Sequence, residues 1–246
     1  MADTPTWRAS RDWGEKLGFD AEDLDVLNRE AVALMVAVRD AWERPGTPVV
    51  VSGNIGPRGD GYAPDRTMKP DEAEAYHSAQ VATFADAGVD MITVMTMTHS
   101  GEAIGISRAA KAAGVPVSMG LTLETDGRLP TGQPLAEAIE EIDGSGAAPT
   151  YFMINCAHPD HFRDVLAAGG PWTSRIGGVR ANASRKSHAE LDEATELDAG
   201  DPAGLGQDYV ALQRLLPALR VLGGCCGTDH RHIAAMADAC VTRAAA

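Results

Sequence analysis

Three of the four cysteines in this sequence stand where they could act on a ligand. Cys156 directly follows an apolar, strand-like run. The adjacent residues Cys225 and Cys226 follow another such run, and Cys225 lies 69 positions after Cys156. The carboxyl ends of parallel strands open on the same face of a barrel, so residues far apart in the chain can meet there. The sequence therefore predicts that three sulfurs gather in one site.

Glycines make this arrangement feasible for the adjacent pair. Successive side chains in a regular strand point to opposite faces of the sheet. Gly223, Gly224 and Gly227 surround the two cysteines, and they let the backbone leave the pleat so that both sulfurs can turn toward one centre. Three thiolates with a fourth position open are typical of a catalytic zinc site. The spacing is not that of a zinc finger, so a purely structural site is disfavoured.

Two alternatives to a metal site remain open at this point. A cysteine at the end of a strand is often a small buried hydrophobe, and Cys240, in the alanine-rich last helix, is interpreted in that way. Cys225 and Cys226 could instead form a vicinal disulfide in a thiol redox protein. The sequence contains no C-x-x-C spacing of the kind such proteins use, so zinc chemistry is favoured.

The elements that would position these residues follow a regular strand–helix rhythm. Six short apolar runs, each followed by a loop and an amphipathic stretch, are predicted strands of a parallel sheet. Their spacing scatters around the roughly 31 residues that one unit of an eight-stranded α/β barrel takes. The runs begin at Pro48, Val89, Val115, Tyr151, Ile176 and Val221. We therefore expect a TIM-type (β/α)8 barrel that is incomplete at its N-terminus, with about six strands.

The first 45 residues break this rhythm. They hold three of the four tryptophans and predict a loop followed by a helix from about Ala21 to Trp42, with no strand before it. Residues 46–246 contain the six βα units, so residues 1–246 are interpreted as one barrel domain. The polar segment 185–204 predicts a long loop that could serve as a lid. An open barrel edge would favour association into a homo-oligomer.

Composition argues against two classes of partner. The 246 residues include 21 basic and 35 acidic side chains, a net charge of −14, so a nucleic-acid backbone would be repelled. No stretch of the sequence approaches the roughly 20 apolar residues that a membrane-spanning helix needs. Four cysteines and no leader-like start favour the reducing cytoplasm over a secreted disulfide scaffold. We expect a cytoplasmic protein that binds small molecules.

Three motifs together resemble the homocysteine S-methyltransferase family. They are Asn155-Cys156, the GGCCGT run at 223–228 and the SGNIGP run at 52–57. The resemblance extends from about Thr4 to His232. Members of this family are zinc-dependent barrel enzymes related to betaine–homocysteine methyltransferase and to the homocysteine module of methionine synthase.

The resemblance implies a reaction and the residues that perform it. Cys156, Cys225 and Cys226 correspond to the zinc ligands and catalytic residues, and Asn155 to a residue beside the bound amino acid. The implied reaction transfers a methyl group from a small onium-type donor to the thiol of homocysteine and forms methionine. A free thiol of this type has a pKa near 8.5 and is mostly protonated at pH 7, so zinc would be needed to activate it. No motif identifies the donor.

Four further residues are candidate substrate contacts. Thr96 matches the threonine of a Glu-Thr pair in the family, and Asn182 matches the asparagine of a Tyr-Pro-Asn sequence. Strand alternation places Asn54, and Arg180 within the strand predicted over 176–184, toward the barrel interior. An interior arginine is costly unless paired. Arg180 therefore either meets an acidic side chain or holds a substrate carboxylate.

Two departures from the family pattern leave a second function open. The sequence enters at the end of the family's second strand, so the Asp-Gly-Gly strand that contributes to the homocysteine pocket is not seen. Met95 stands where the family has the glutamate that contacts the substrate amino group. The alternative to an active methyltransferase is a degenerate member that binds zinc or a thiol without turnover.

Overall fold

The computed structural model describes residues 1–64 and 67–241, in which strands and helices alternate. The strands are β1 (Ala2–Asp3), β2 (Val51–Ile55), β3 (Met91–Met97), β4 (Val117–Thr122), β5 (Tyr151–Asn155), β6 (Ile176–Ala181) and β7 (Val221–Gly224). The helices are α1 (Arg11–Glu15), α2 (Ala21–Trp42), α3 (Pro70–Asp86), α4 (Ser100–Ala112), α5 (Leu135–Gly144), α6 (Pro159–Ala167), α7 (His188–Asp192), α8 (Pro202–Leu215) and α9 (His230–Val241), with a 3-10 turn at Pro171–Arg175.

The strands follow one another across a single sheet in chain order, from β1 to β7. β1 pairs with β2, β2 with β3, β5 with β6 and β6 with β7, each time in parallel. Parallel strands in sequential order with helices between them are the topology of a TIM-type barrel. The fold is an incomplete α/β barrel, which confirms the fold class expected from the sequence.

The described residues contain one strand more than the six that the sequence predicts. The additional strand, β1, lies within the first 45 residues, where only a loop and a helix are expected. It is fixed by hydrogen bonds from Ala2 N to Val50 O and from Thr4 N to Ser52 O. A two-residue strand carries no alternating pattern, so sequence periodicity cannot reveal it.

By their contacts, the residues form two compact units. The first comprises Met1–Gly120 and Glu141–Thr150, and the second comprises Leu121–Glu140 and the described residues from Tyr151 onward. All three site cysteines and the strands that carry them belong to the second unit. The interpretation of the chain as one functional domain stays a prediction.

In the first unit, helices α3 and α4 pack against each other beside strands whose side chains are largely buried. Ile55 and Ile92 are fully buried, as expected for parallel strands covered by helices. Phe84 of α3 lies directly on Gly53 of β2, where a Cβ atom would stand 2.6 Å from the ring. The glycine in the SGN motif thus allows close packing of helix on strand.

Helix α2 confirms the helix expected from Ala21 to Trp42. The side chain of Asp20 accepts hydrogen bonds from Glu22 N and Asp23 N and forms a capping box at its start. Leu24 and Val32 are buried, while Leu34, Val38 and Trp42 are exposed; this last side chain is 72% exposed. Among the residues described, none of the helices has the length and apolarity needed to cross a bilayer.

In the second unit, Tyr209 of α8 joins β6 to β7 just before the cysteine pair. Its side chain is fully buried, and its hydroxyl donates to Gly223 O at 2.5 Å and accepts from Ala181 N at 2.9 Å. Burial raises the pKa of Tyr209 above its ordinary value. The hydroxyl therefore stays protonated and holds the two strand ends together.

We expect Tyr209→Phe to lower the free energy of unfolding by about 1–3 kcal/mol, because a buried main-chain donor and a buried acceptor lose their partner. Urea unfolding of the reduced protein measures the change. Tyr76→Phe is the control, since the Tyr76 hydroxyl makes only longer contacts of 3.2 Å with Ser10 Oγ and Asp12 N. Equal losses in the two variants would contradict the role given to Tyr209.

Candidate functional site

Three cysteine sulfurs gather at the carboxyl ends of β5 and β7. Cys156 comes directly after β5, and Cys225 and Cys226 come directly after β7. The three Sγ atoms all lie within 4.8 Å of one another, with 4.0 Å between those of Cys156 and Cys226. The structure thus brings together the three residues that the sequence places in one cluster.

Two of these sulfurs are joined. Cys156 and Cys225 form a disulfide with their Cα atoms 5.5 Å apart, and Cys226 is a free, exposed thiol. The bonded pair therefore comes from different strands and is not the adjacent pair considered from the sequence. Cys240 is buried in α9, as expected for a packing residue. Reduction of the single disulfide leaves three thiols in one cluster.

The turn that carries Cys225 and Cys226 depends on its glycines. A Cβ atom on Gly224 would stand 2.1 Å from Thr228 Oγ1, and Gly227 has a φ of +78°. The Thr228 hydroxyl donates to Cys225 O at 2.7 Å. The backbone consequently leaves the strand geometry immediately after β7, as the glycine pattern predicts.

Main-chain hydrogen bonds from β6 and the residues after it align the cysteines. Cys156 N donates to Arg180 O at 3.1 Å, and Cys225 N donates to Ala181 O at 2.8 Å. Cys226 N donates to the side-chain Oδ1 of Asn182 at 3.1 Å. Asn182, a candidate substrate contact, thus uses its side-chain oxygen to hold the cysteine turn. The strand ends at Ala181, earlier than the predicted end at residue 184, and the main chain beyond it bonds to the segments that follow β5 and β7, with Asn182 N donating to Ala157 O and Ala183 N to Cys226 O.

Asn155 and Arg180 lie in the same row of the sheet, just before the cysteines. The strand register pairs Asn155 with Arg180 and Arg180 with Gly223. Asn155 is buried and Arg180 is half-buried. The missing side chain of Gly223 leaves room for the Arg180 stem, since a Cβ there would stand 3.2 Å from Arg180 Cγ. Both candidate substrate residues therefore lie one row from the sulfur cluster.

Asn54 and Thr96 belong to the first unit, near the carboxyl ends of β2 and β3. Asn54 N donates to Thr4 Oγ1 at 2.8 Å, while its buried side-chain Oδ1 has no hydrogen-bond partner among the described residues. Thr96 is buried and has a φ of +65°. That conformation is an outlier for a β-branched residue, and such strain is concentrated at functional sites.

Once reduced, the three cysteines have the donor set that would fit a zinc ion. Tetrahedral zinc with Zn–S bonds of about 2.3 Å places thiolates about 3.8 Å apart, close to the 4.0 Å between the sulfurs of Cys156 and Cys226. Soft thiolate ligands favour zinc over hard cations. Three protein ligands leave one tetrahedral position for a substrate atom.

A second group of residues of metal-binding types lies nearby, but its carboxylates are already paired with arginines. His158, Asp160 and Asp208 offer atoms within 4.8 Å of one another. Arg163 contacts Asp208 at 2.6 Å, and Arg185 contacts Asp160 at 2.8 Å. Burial lowers the pKa of His158 to about 4, and its neutral Nδ1 accepts from Asp160 N at the start of α6. This cluster is an ion-pair network with a helix cap.

Sequence reasoning missed one residue that contacts the cysteine site. His188, within the segment predicted to be a loop, lies beside the main chain of Cys156. The segment contains the short helix α7, whose capping box is formed by Ser187 and Glu190. The S-x-x-E pattern of these two residues is a helix-start signature and is the signal that would have found this helix.

We expect Gly224→Ala to destabilise the reduced protein by about 1–3 kcal/mol, because the added methyl displaces Thr228 from the cysteine turn. Gly223→Ala is the matched control, since its nearest neighbour is the flexible stem of Arg180 at 3.2 Å. Urea unfolding of both variants measures the difference. A Gly223→Ala loss as large as that of Gly224→Ala would show that the turn geometry has no special requirement.

Comparison with known proteins identifies the family of this chain. A family model described as homocysteine S-methyltransferase matches residues 1–240. The homocysteine methyltransferase MmuM from Escherichia coli, in its metallated form, is 22% identical with a TM-score of 0.72, over 96% of this chain and 77% of that one. Its oxidised form is 22% identical with a TM-score of 0.77, over 96% and 78%. These structures show the same fold, and the family match shows that this chain belongs to the homocysteine S-methyltransferase family.

Proposed function

We propose that this chain transfers a methyl group from a small onium-type donor to the thiol of homocysteine, forming methionine, at a zinc site made by Cys156, Cys225 and Cys226. The observation that carries the proposal is the meeting of three sulfurs from two separate strand ends. Family membership supports the reaction. MmuM, a homocysteine methyltransferase with a metallated and an oxidised form, supports a metal at this fold.

The three cysteines would hold the ion on the open side of the cluster. Zinc bound there would supply a deprotonated, electron-rich substrate thiolate at its fourth position. Cys226 is exposed, whereas only 3% of Cys156 is exposed. Approach from the side of Cys226 is therefore the route by which a small thiol reaches the site.

The remaining candidate residues would orient the amino acid. Arg180 presents a guanidinium that can take a substrate carboxylate in a paired geometry, and Asn155 lies next to it in the sheet. Asn182 would keep Cys226 in place while lining the site. Thr96 and Asn54 are proposed as contacts on the strength of their sequence positions. We further propose that the chain works as one homocysteine-binding barrel domain.

Zinc binding and disulfide formation compete for the same sulfurs. Cysteine binds zinc as the thiolate, so the Cys156–Cys225 disulfide must be reduced before the ion can bind. The proposed function therefore requires a reducing compartment, such as the cytoplasm. The partners needed for the proposed turnover are small molecules, and the reaction requires no macromolecule.

We expect the reduced protein to bind about one zinc ion per chain, and Cys226→Ala to abolish this stoichiometric binding together with methyl transfer. Cys226 lies outside the disulfide, so its loss leaves both Cys156 and Cys225 as thiols in the reduced protein and removes only the third ligand. Cys240→Ala, at a buried cysteine of α9, is the control and should keep zinc. Zinc is measured by metal analysis after gel filtration. Full zinc occupancy in Cys226→Ala would refute the ligand assignment.

Turnover separates an active enzyme from a degenerate member of the family. We expect the reduced, zinc-loaded protein to form methionine from homocysteine and one of three donors: S-methylmethionine, S-adenosylmethionine or betaine. A cationic donor loses its charge on transfer, which an electron-rich thiolate centre favours. Mass spectrometry of methionine carrying a labelled methyl group measures the reaction. Zinc binding with no methionine from any donor would favour the degenerate alternative.

A further inference from the structure

One imidazole ring connects the cysteine site to two loops. His188, the first residue of α7, places Nε2 at 2.5 Å from Cys156 O and Nδ1 at 3.0 Å from Glu124 Oε1. Its side chain is 11% exposed. Glu124 lies between β4 and α5, so three separate segments of the second unit meet at this ring.

The carbonyl partner fixes the direction of one hydrogen bond. A carbonyl oxygen can only accept, so Nε2 of His188 donates to Cys156 O. Nδ1 faces the carboxylate of Glu124, which holds the other side of the ring. His188 is thus held in one orientation, with Nε2 directed at the Cys156 carbonyl.

Cys156 is a residue whose backbone needs external support. Its φ is +54°, in the left-handed region that non-glycine residues rarely adopt. Such conformations persist where the surroundings impose them. Cys156 N is bonded to Arg180 O at 3.1 Å, and Cys156 O is bonded to His188. Both the N–H and the carbonyl of Cys156 are therefore held by hydrogen bonds, which fixes the direction of its Cα–Cβ bond and hence the position of its sulfur.

The segment that carries His188 is itself anchored. Glu190 N donates to Ser187 Oγ at 3.3 Å, and Ser187 N donates to Glu190 Oε2 at 2.8 Å, forming the capping box that starts α7. The ring of His161, on α6, contacts Arg185 O at 2.8 Å, ahead of this capping box and outside it. His188 therefore reaches Cys156 from a built local structure.

We propose that His188 is a positioning residue that holds the main chain of Cys156 so that its sulfur stays within the three-cysteine cluster. The proposal rests on the zinc function proposed above for the role of that cluster, and it adds a residue that binds neither the ion nor the substrate. Hydrogen-bonded partners of metal ligands commonly contribute 10–100-fold to metal affinity. His188 acts in the same sense, through the backbone of a ligand instead of its side chain.

The test compares three variants of the full chain in reduced form. His188→Phe keeps a ring but removes both ring nitrogens, and His188→Gln keeps an N–H donor. His161→Phe is the matched control, because it removes a histidine contact to a main-chain carbonyl of the same segment but not to Cys156. Zinc affinity is measured by chelator competition, and ligand geometry is read from the absorption spectrum of the Co²⁺-loaded protein.

We expect His188→Phe to weaken zinc affinity by roughly 10–100-fold and to shift the Co²⁺ spectrum. His188→Gln should recover part of the affinity, and His161→Phe should keep the parental affinity and spectrum. A purely structural role would lower thermal stability in both phenylalanine variants without changing the zinc affinity of the folded protein. That result, or an unchanged affinity in folded His188→Phe, would overturn the proposal.

A second readout separates this proposal from the zinc function itself. If the parent protein binds no zinc, the proposed function fails, and the position of the Cys156 sulfur is then measured without metal. Reduced, metal-free protein is treated with oxidised glutathione, which takes up two electrons as Cys156 and Cys225 form their disulfide. We expect slower disulfide formation in His188→Phe than in His161→Phe. Equal rates would show that His188 does not position Cys156.

Discussion

The site depends on strand β6, whose main chain hydrogen-bonds to the cysteines that follow both neighbouring strands. β6 lies between β5 and β7 in the sheet, and parallel hydrogen bonding continues past its end on both sides. Cys156 bonds to Arg180 O, Cys225 to Ala181 O and Cys226 to the side chain of Asn182. A slip of one residue in either pairing would turn a cysteine to the opposite face of the sheet. Register is therefore what turns two distant sequence motifs into one cluster.

Side chains that contact β6 and the cysteine segments keep this strand register fixed. The Tyr209 hydroxyl joins β6 to β7 from the helix side, and Thr228 closes the turn after Cys225. On the other side, His188 holds the carbonyl of Cys156. Buried polar groups that are fully paired specify one arrangement, because every alternative leaves a donor or an acceptor without a partner. The arrangement that forms the disulfide would also suit the proposed metal, since both require sulfurs brought within a few ångströms of one another.

Long, periodic segments and the glycine-flanked cysteines were readable from the sequence, while contacts made by short or irregular segments were not. The helix Ala21–Trp42 and the gathering of Cys156 with the 225–226 pair followed from periodicity and from the rule that strand ends share a face. The two-residue strand β1 has too few residues for a pattern. The pairing of Cys156 with Cys225 was not predictable, because cysteine positions do not determine connectivity. His188 was hidden in a polar segment, where function often resides.

The departure at Met95 is separable from the chemistry of the sulfurs. Met95 is buried in β3 of the first unit, whereas the cysteines and the groups that align them all belong to the second. In the proposed function, methionine at this position would remove the contact to the substrate amino group that the family resemblance implies, and a contact of that kind binds the ground state and the transition state alike. Losing it raises KM and leaves kcat unchanged, whereas losing an interaction that activates the thiol lowers kcat. In the proposed function, the departure therefore bears on which thiol is recognised, while thiol activation is the task of the three cysteines.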